Sequence, residues 1–183
     1  MIRLLYAVAI GLALAGLIHV ASLLRVPQLA PNGAYDRLAS LKADGRFVVL
    51  QDDGDAADRL PFRDPAFVTA ACRYDLSQGP VTVRANLPSS YGAVVFHNRG
   101  GQPFYALSDR AATNGAVEVT VLDDAAAEEA EADETVEARP NIRIASPTET
   151  GFVLVRLFAP APSARAGLAA IAAGASCGRR VSP

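Results

Sequence analysis

The sequence contains few side chains arranged for catalysis, and His97 is the first to consider. It is the one imidazole outside the long apolar N-terminal segment, which contains His19. An imidazole can act as a general base beside a serine or cysteine, or it can bind zinc. The chain has no Gly-x-Ser-x-Gly motif, and Cys72 and Cys177 lack the spacing of zinc ligands. We therefore predict no catalytic residue, no metal site and no cofactor, and we place His97 at the rim of a hairpin.

Charged and aromatic side chains near His97 suggest a second kind of chemistry, the binding of a ligand. Arg99 and Arg110 lie near the two ends of the predicted strand PFYALSD, where they can bind an anionic sugar or a partner's carboxylate. The alternative is that they form ion pairs with Asp109 or with the acidic segment that follows. The candidate ligand or partner face comprises Tyr91, His97, Arg99, Tyr105, Asp109 and Arg110.

The acidic segment Asp123–Glu137 holds eight carboxylates and no basic residue. Calcium binding would need a turn that converges the oxygens, and neither a glycine nor EF-hand spacing is present. Alanine and glutamate favour a solvated helix instead. The formal net charge of the chain is −2, which gives no electrostatic argument for a nucleic-acid partner.

Cys72 and Cys177 form an even pair in a small domain. In an oxidising compartment a disulfide between them would stabilise the fold by roughly 2–4 kcal/mol. The alternative is two buried, unpaired thiols. We predict a disulfide, and we take it as support for a domain outside the cytoplasm.

The segment Leu4–Leu24 is uncharged and is flanked by Arg3 and Arg25. At about 1.5 Å per residue it matches the roughly 30 Å hydrocarbon core of a bilayer. A signal peptide is the competing interpretation, but the run is long and no small-x-small cleavage site follows it before Arg25. We predict residues 1–25 as a single-pass inner-membrane anchor, 26–34 as a linker, 35–178 as a periplasmic domain and 179–183 as a tail. The positive-inside comparison hardly discriminates the orientation, which therefore depends on the cysteine pair.

Small side chains recur every four residues along the apolar segment, at Ala7, Gly11 and Ala15, and His19 continues the same face. Helices in lipid associate where small residues let their backbones approach closely, and an imidazole there favours a hydrogen-bond partner over lipid. The alternative is that alanine and glycine are common in this chain and that His19 snorkels to the interface. We predict that this stripe contacts a helix of another integral membrane protein.

The remainder of the chain is predicted to be mainly β. Helices are expected at Tyr35–Leu41, from a cap at Asp64 with Pro65 in the first turn, and from a cap at Ser163. Seven short strands separated by Gly, Pro and Asn favour an antiparallel, jelly-roll-like sandwich onto which the C-terminal helix docks. The predicted strands are RFVVLQ, VTVRANL, GAVVFHN, PFYALSD, AVEVTVL, IRIAS and GFVLVRLF.

Residues 72–110, beginning with the Cys-Arg-aromatic-Asp-Leu segment, resemble the bacterial domain-of-unknown-function family 1254, in its short single-span alphaproteobacterial form. Residues 151–160 resemble that family's closing strand. The resemblance implies a β-rich sandwich and supplies no catalytic residue. Longer relatives join this domain to a domain of unknown-function family 1214, so a separate membrane protein that carries the companion domain is the implied partner. Where members have Ser-aromatic-Trp, here Gly92 follows Tyr91, and His97-Asn98 replaces the usual aspartate before arginine.

Three hypotheses about function follow. The first is a non-enzymatic, membrane-anchored periplasmic accessory subunit of an inner-membrane or envelope complex. The second is a domain that binds an envelope glycan or a small ligand through Tyr91, Arg99, Tyr105 and Arg110. The third, a hydrolase, would require turnover that is lost on His97→Ala.

Overall fold

The computed structural model describes residues 1–29, 33–50, 64–88, 90–132 and 142–179. The chain divides into two compact units, Met1–Gly33 and Ala34–Pro183. Among the described residues, the first unit contains one helix, α1 (Ile2–Leu29), and the second contains the strands and three further α-helices.

Helix α1 includes a stretch, Ile2–Val26, that is long and apolar enough to cross a membrane. Its large apolar side chains are exposed, as expected where lipid rather than protein would cover them. The helix continues through Val26–Leu29, which were predicted as part of a linker. The helical backbone therefore extends past Pro27.

Nine strands and three short helices make up the described part of the second unit. Five strands form one sheet in the order β1-β2-β8-β4-β5, and four form another in the order β7-β6-β3-β9. The strands are β1 (Val48–Leu50), β2 (Phe67–Asp75), β3 (Val81–Asn86), β4 (Gly92–Asn98), β5 (Pro103–Ser108), β6 (Ala116–Leu122), β7 (Ile142–Ala145), β8 (Thr150–Phe158) and β9 (Ser176–Arg179). The helices are α2 (Ala34–Ser40), α3 (Asp124–Ala132) and α4 (Arg165–Ala173).

The two sheets share one hydrophobic core, so the predicted mainly β sandwich is confirmed. Alternate residues of the central strands point inward, and the side chains of Val83, Phe96, Val119 and Val153 are fully buried between the sheets. This alternation is the pattern that a half-buried strand imposes on its sequence. One pairing differs from the antiparallel expectation, because β7 lies parallel to β6.

A second, smaller core lies on the outer face of the five-stranded sheet, where α2 packs. Leu38 and Tyr35 of α2 are buried there against Ala71 of β2 and Phe152 of β8. Helix α4 contacts β1, β2, β3 and β8 with Leu168 and Ala172 buried, so the predicted docking of the C-terminal helix is confirmed.

The helix predicted from Asp64 is wrong, because residues 67–75 form strand β2. Asp64 does make a local turn, since its carboxylate accepts a hydrogen bond from the Ala66 N–H at 2.9 Å. The chain then leaves the turn in extended form and pairs along its whole length with β8. The alanines of FVTAAC favour a helix by propensity but lie in strand β2. They do so because α2 covers one face of this strand and the sandwich core covers the other.

Three smaller corrections concern chain ends and caps. Ser163 is not a cap, because it lies within a 3₁₀ turn, Pro162–Ala164, and the residue that precedes α4 is Ala164. Arg179 belongs to strand β9 rather than to the tail. The acidic segment is helical over Asp124–Ala132, and Asp123 caps that helix through the Ala126 N–H at 2.7 Å. The rest of that segment, from residue 133, lies outside the described residues.

Candidate functional site

A cleft of about 370 Å³ opens where one end of β2 faces β9. Its walls come from four separate parts of the chain, which are α2 with the turn after it, β2, the start of β3, and β9. The lining residues are Tyr35, Asp44, Gly45, Arg73, Tyr74, Asp75, Val81, Gly178 and Arg179. Two arginines and two aspartates are among them, so the cleft carries both signs of charge in equal number.

The disulfide Cys72–Cys177 joins the two walls of the cleft, and the predicted pairing is confirmed. Cys72 precedes Arg73 on β2, in the five-stranded sheet, and Cys177 precedes Gly178 on β9, in the four-stranded sheet. Both cysteines are buried. The bond therefore fixes the spacing of the two strands at the point where the cleft opens.

The turn after α2 forms a third side of the cleft by lying along β2. The Arg73 N–H donates to the Ala43 carbonyl at 2.7 Å, and the Gly45 N–H donates to the Arg73 carbonyl at 3.1 Å. Gly45 has a φ of +64°, in the left-handed region that glycine adopts without a steric penalty. A Cβ at this position would also lie 3.9 Å from the Cys177 carbonyl oxygen, so the turn approaches β9 closely.

Arg73 is the most constrained charged group of the cleft. Its side chain is 14% exposed, and its Nη1 atom lies 3.1 Å from Oδ1 of Asp44. Its guanidinium also stacks on Tyr35, with Cζ 4.0 Å from the ring centroid. The Arg73 Nε atom is buried and has no hydrogen-bond acceptor among the residues that the structure describes. An unsatisfied buried donor is energetically unfavourable.

Asp75 and Arg179 are two exposed charges of the cleft, and Asp44 is a third. Hydrogen bonds from the side chain and backbone of Ser77 lower the pKa of the Asp75 carboxyl, and the positive charge of Arg179 contributes in the same direction. The backbone bond, from the Ser77 N–H to Oδ1, is 2.9 Å long. Asp75 is therefore ionised at neutral pH and is held in a fixed orientation.

Tyr74 supports the cleft from inside the sandwich. Its hydroxyl donates to the His97 carbonyl at 3.1 Å and lies 2.9 Å from Oγ of Ser146. Burial raises the pKa of Tyr74, against a smaller opposing effect of the bond with Ser146. The tyrosine reaches β4 by crossing β8 at Gly151, where a Cβ would overlap both the Tyr74 hydroxyl and the His97 carbonyl. Only glycine fits at that crossing.

His97 lies on the outer face of the sheet, in the same cross-strand row as Phe152 and Arg73. Its ring stacks on Phe152 with centroids 4.7 Å apart, and its Nδ1 atom is buried without a partner among the described residues. Burial lowers the pKa of the imidazole. This position fits a packed, neutral side chain at the end of a hairpin strand, as its place in the sequence indicates.

The residues predicted as one ligand face do not converge. Tyr91 precedes β4 and contacts Phe67, whereas Arg99 follows β4, which separates the two by about 26 Å along an extended strand. Asp109 and Arg110 lie in a 3₁₀ turn after β5, at the Tyr91 end. Tyr105 points into the core against Phe96.

Arg99 pairs with Asp36 of α2 at 3.4 Å and lies 4.7 Å from the Tyr35 ring centroid. Its ion-pair partner is therefore Asp36, and not Asp109 or the acidic segment, which the sequence suggested. The guanidinium groups of Arg99 and Arg73 both lie against the ring of Tyr35. Sequence reasoning missed Tyr35, Arg73, Asp75 and Arg179 as site residues, although Arg73 and Asp75 belong to the Cys-Arg-aromatic-Asp-Leu segment.

The stripe of α1 retains the spacing that the sequence gives it. Ala7, Gly11, Ala15 and His19 lie on one continuous helix, α1. Among the described residues no three His, Cys, Asp or Glu side chains come together as a metal site would require.

Comparison with known proteins supports the fold alone. No protein-family model and no curated protein matches the chain. Among solved structures, the VPA0106 protein from Vibrio parahaemolyticus matches 67% of this chain with a TM-score of 0.50 and 11% sequence identity. An uncharacterized protein from Burkholderia cenocepacia matches 68% of the chain with a TM-score of 0.46 and 12% identity. The match spans only about a third of either protein, 33% and 34% respectively.

Proposed function

We propose that this protein is a membrane-anchored accessory subunit without catalytic activity of its own. In this proposal α1 crosses the bacterial inner membrane once, the sandwich lies in the periplasm, and a partner binds through the span and the sandwich. The proposal keeps the resemblance to domain-of-unknown-function family 1254 and names a membrane protein with a family 1214 domain as the candidate partner.

The observation that carries the proposal is the combination of an apolar helix with a disulfide in one short chain. Helix α1 is long and apolar enough to span a bilayer. The bond between Cys72 and Cys177 fits an oxidising compartment. A domain that is tethered to a membrane and stabilised outside the cytoplasm is suited to hold or position another envelope component.

Contact through the span is supported by the small side chains of Ala7, Gly11 and Ala15. Close backbone approach is the main source of helix association in lipid, because lipid tails are as apolar as leucine and give no hydrophobic advantage. His19 extends this face by one turn and can donate or accept one hydrogen bond across the interface. Such bonds average only about 0.6 kcal/mol, so they select a register more than they add affinity.

Co-purification tests this proposal. The full-length protein is extracted from native membranes in a gentle non-ionic detergent, and the attached proteins are identified. We expect a discrete membrane protein that is lost from Gly11→Leu and Ala15→Leu. Ala13→Leu is the matched control, because two residues turn a helix by about 200° and place Ala13 on the opposite side from Ala15. Retention of the partner by all three variants, or no partner at all, would overturn the proposal.

A further inference from the structure

We propose that the cleft between β2 and β9 binds a small zwitterion, a molecule with a primary ammonium group within a few bonds of a carboxylate or phosphate. This inference goes beyond the proposed function, because it needs neither the span nor a protein partner. It also concerns residues other than the ligand face that the sequence predicts.

The size of the cleft sets the size of the ligand. Ligand pockets usually have volumes of about 300–1,000 Å³. The volume here, about 370 Å³, lies at the lower end of that range and suits a molecule with few heavy atoms. A polymer could place only one terminal group in it.

The charges of the cleft set the chemistry of the ligand. Asp75 is ionised and exposed on β2, and Arg179 is exposed on β9 across the cleft. Asp44, which pairs with Arg73, adds a second carboxylate, and its side chain is 67% exposed. A ligand with one charge would satisfy one wall and leave the opposite charges facing it, whereas a zwitterion satisfies both.

Arg179 gives the anionic end of the ligand its position, because its side chain is exposed in the cleft and can donate to a carboxylate or phosphate oxygen. Arg73 also lines the cleft, but its guanidinium is paired with Asp44 and stacked on Tyr35. The ammonium group would then lie toward Asp75.

The cleft is preorganised, which raises affinity for a small ligand because little has to be ordered on binding. The disulfide joins its two walls, and the turn at Gly45 is bonded to the Arg73 backbone on one side and approaches the Cys177 carbonyl on the other. We therefore infer that the site exists only when Cys72 and Cys177 are oxidised.

The test is titration of the full-length protein, with its disulfide intact and in a non-ionic detergent, with two zwitterions. O-phosphoethanolamine represents a lipid headgroup and D-alanine represents a free amino acid, so the two arms distinguish these sources. Ethylamine, acetate and inorganic phosphate are the probes with one charge. We expect saturable binding of at least one zwitterion, with shifts of the Gly45 and Gly178 amide resonances, and at least tenfold weaker binding of every single-charge probe. Binding of neither zwitterion, or equal binding of a single-charge probe, would overturn the inference.

Variants locate the site. Arg179→Gln and Asp75→Asn should each weaken binding about tenfold or more, since each removes one charge-assisted contact. Asparagine at position 75 retains the oxygen that accepts from Ser77. Arg110→Gln and Asp109→Asn are the matched controls, because they follow β5 at the Thr69 end of the sheet, about 20 Å along β2 from Asp75. If the control variants weakened binding as much as Arg179→Gln and Asp75→Asn, the assignment of the ligand site to this cleft would be contradicted.

Removing the disulfide by substitution provides a separate test. Cys72→Ser with Cys177→Ser should abolish the amide shifts at Gly45 and Gly178, and unchanged binding by that double variant would contradict preorganisation by the disulfide. Because none of these measurements depends on a membrane partner, loss of the cleft inference would leave the proposed function standing, and the reverse also holds.

Discussion

At the scale of single residues, Gly151 and Tyr74 show how one side chain fixes the position of another. The tyrosine hydroxyl can reach the His97 carbonyl only because β8 has no Cβ at the crossing point. Neither residue could be paired from the sequence, because the crossing depends on the register of three strands. The sequence does mark Gly151 as the start of a predicted strand, where glycine has no local advantage.

Gly151→Ala should destabilise the protein by about 1–3 kcal/mol, because the new methyl group overlaps buried atoms that have no space to move. The free energy of unfolding, measured by denaturant titration, checks this. Tyr74→Ala removes the overlap with the tyrosine ring and hydroxyl but leaves the overlap with the His97 carbonyl, so the alanine at position 151 should cost less in that background and still destabilise the protein. Equal costs in both backgrounds would show that the overlap with Tyr74 is not a cause.

His97 gives a pH dependence whose sign follows from its burial. The folded chain holds the imidazole pKa below the ordinary value of 6.5. Burial therefore favours the neutral ring in the folded chain. Stability falls as the pH decreases from 6.5 toward the folded pKa, since the unfolded chain binds the proton first. We expect wild type to lose more stability than His97→Gln between pH 7.5 and 5.5. Equal losses in thermal unfolding would contradict this.

At the scale of elements, most of the strands were predictable and one of them, β2, was not. Alternation of apolar and polar residues identified β3, β4 and β6 because each has one face on the core. Strand β2 was mistaken for a helix because its alanines carry no alternation and its start resembles a capped turn. Both faces of β2 are covered, so burial does not leave a period of two in its sequence.

Helix α2 is an element whose stability depends on packing rather than on its seven residues. Leu38 is 1% exposed between the helix and the outer face of the sheet. Leu38→Ala should cost about 2–4 kcal/mol by leaving a cavity, and should increase hydrogen exchange of the α2 amides. Ser40→Ala, at an exposed position of the same helix, should change stability by less than about 0.5 kcal/mol. Unchanged exchange in Leu38→Ala would contradict docking of α2 on the sheet.

At the scale of the whole molecule, the mainly β fold and the disulfide followed from the sequence, but the cleft did not. The alternation of several strands predicts a sandwich, and an even number of cysteines predicts a bond. The cleft brings together Tyr35, Arg73 and Arg179, which are remote along the chain, and no local pattern records such an encounter. The predicted ligand residues failed to converge for the same reason, because closeness in sequence put them at opposite ends of β4.

The disulfide should contribute about 2–4 kcal/mol to the stability of the second unit, because it closes a long loop between two sheets. Its sequence separation is 105 residues. Urea unfolding of the full-length protein with and without a reductant measures the difference. The double variant with serine at positions 72 and 177 is the control, since a reductant should not affect it. A midpoint that is the same for oxidised and reduced wild type would contradict a stabilising bond.

Contact of α1 with another membrane helix is tested most directly by site-specific photo-crosslinking in native membranes. A photoreactive residue is placed at Gly11, Ala15 or, on the opposite side, Ala13 of the full-length chain. We expect one discrete protein adduct from positions 11 and 15 and none from position 13. Adducts to lipid alone at all three positions, or the same protein adduct from position 13, would contradict a partner on the small-residue face.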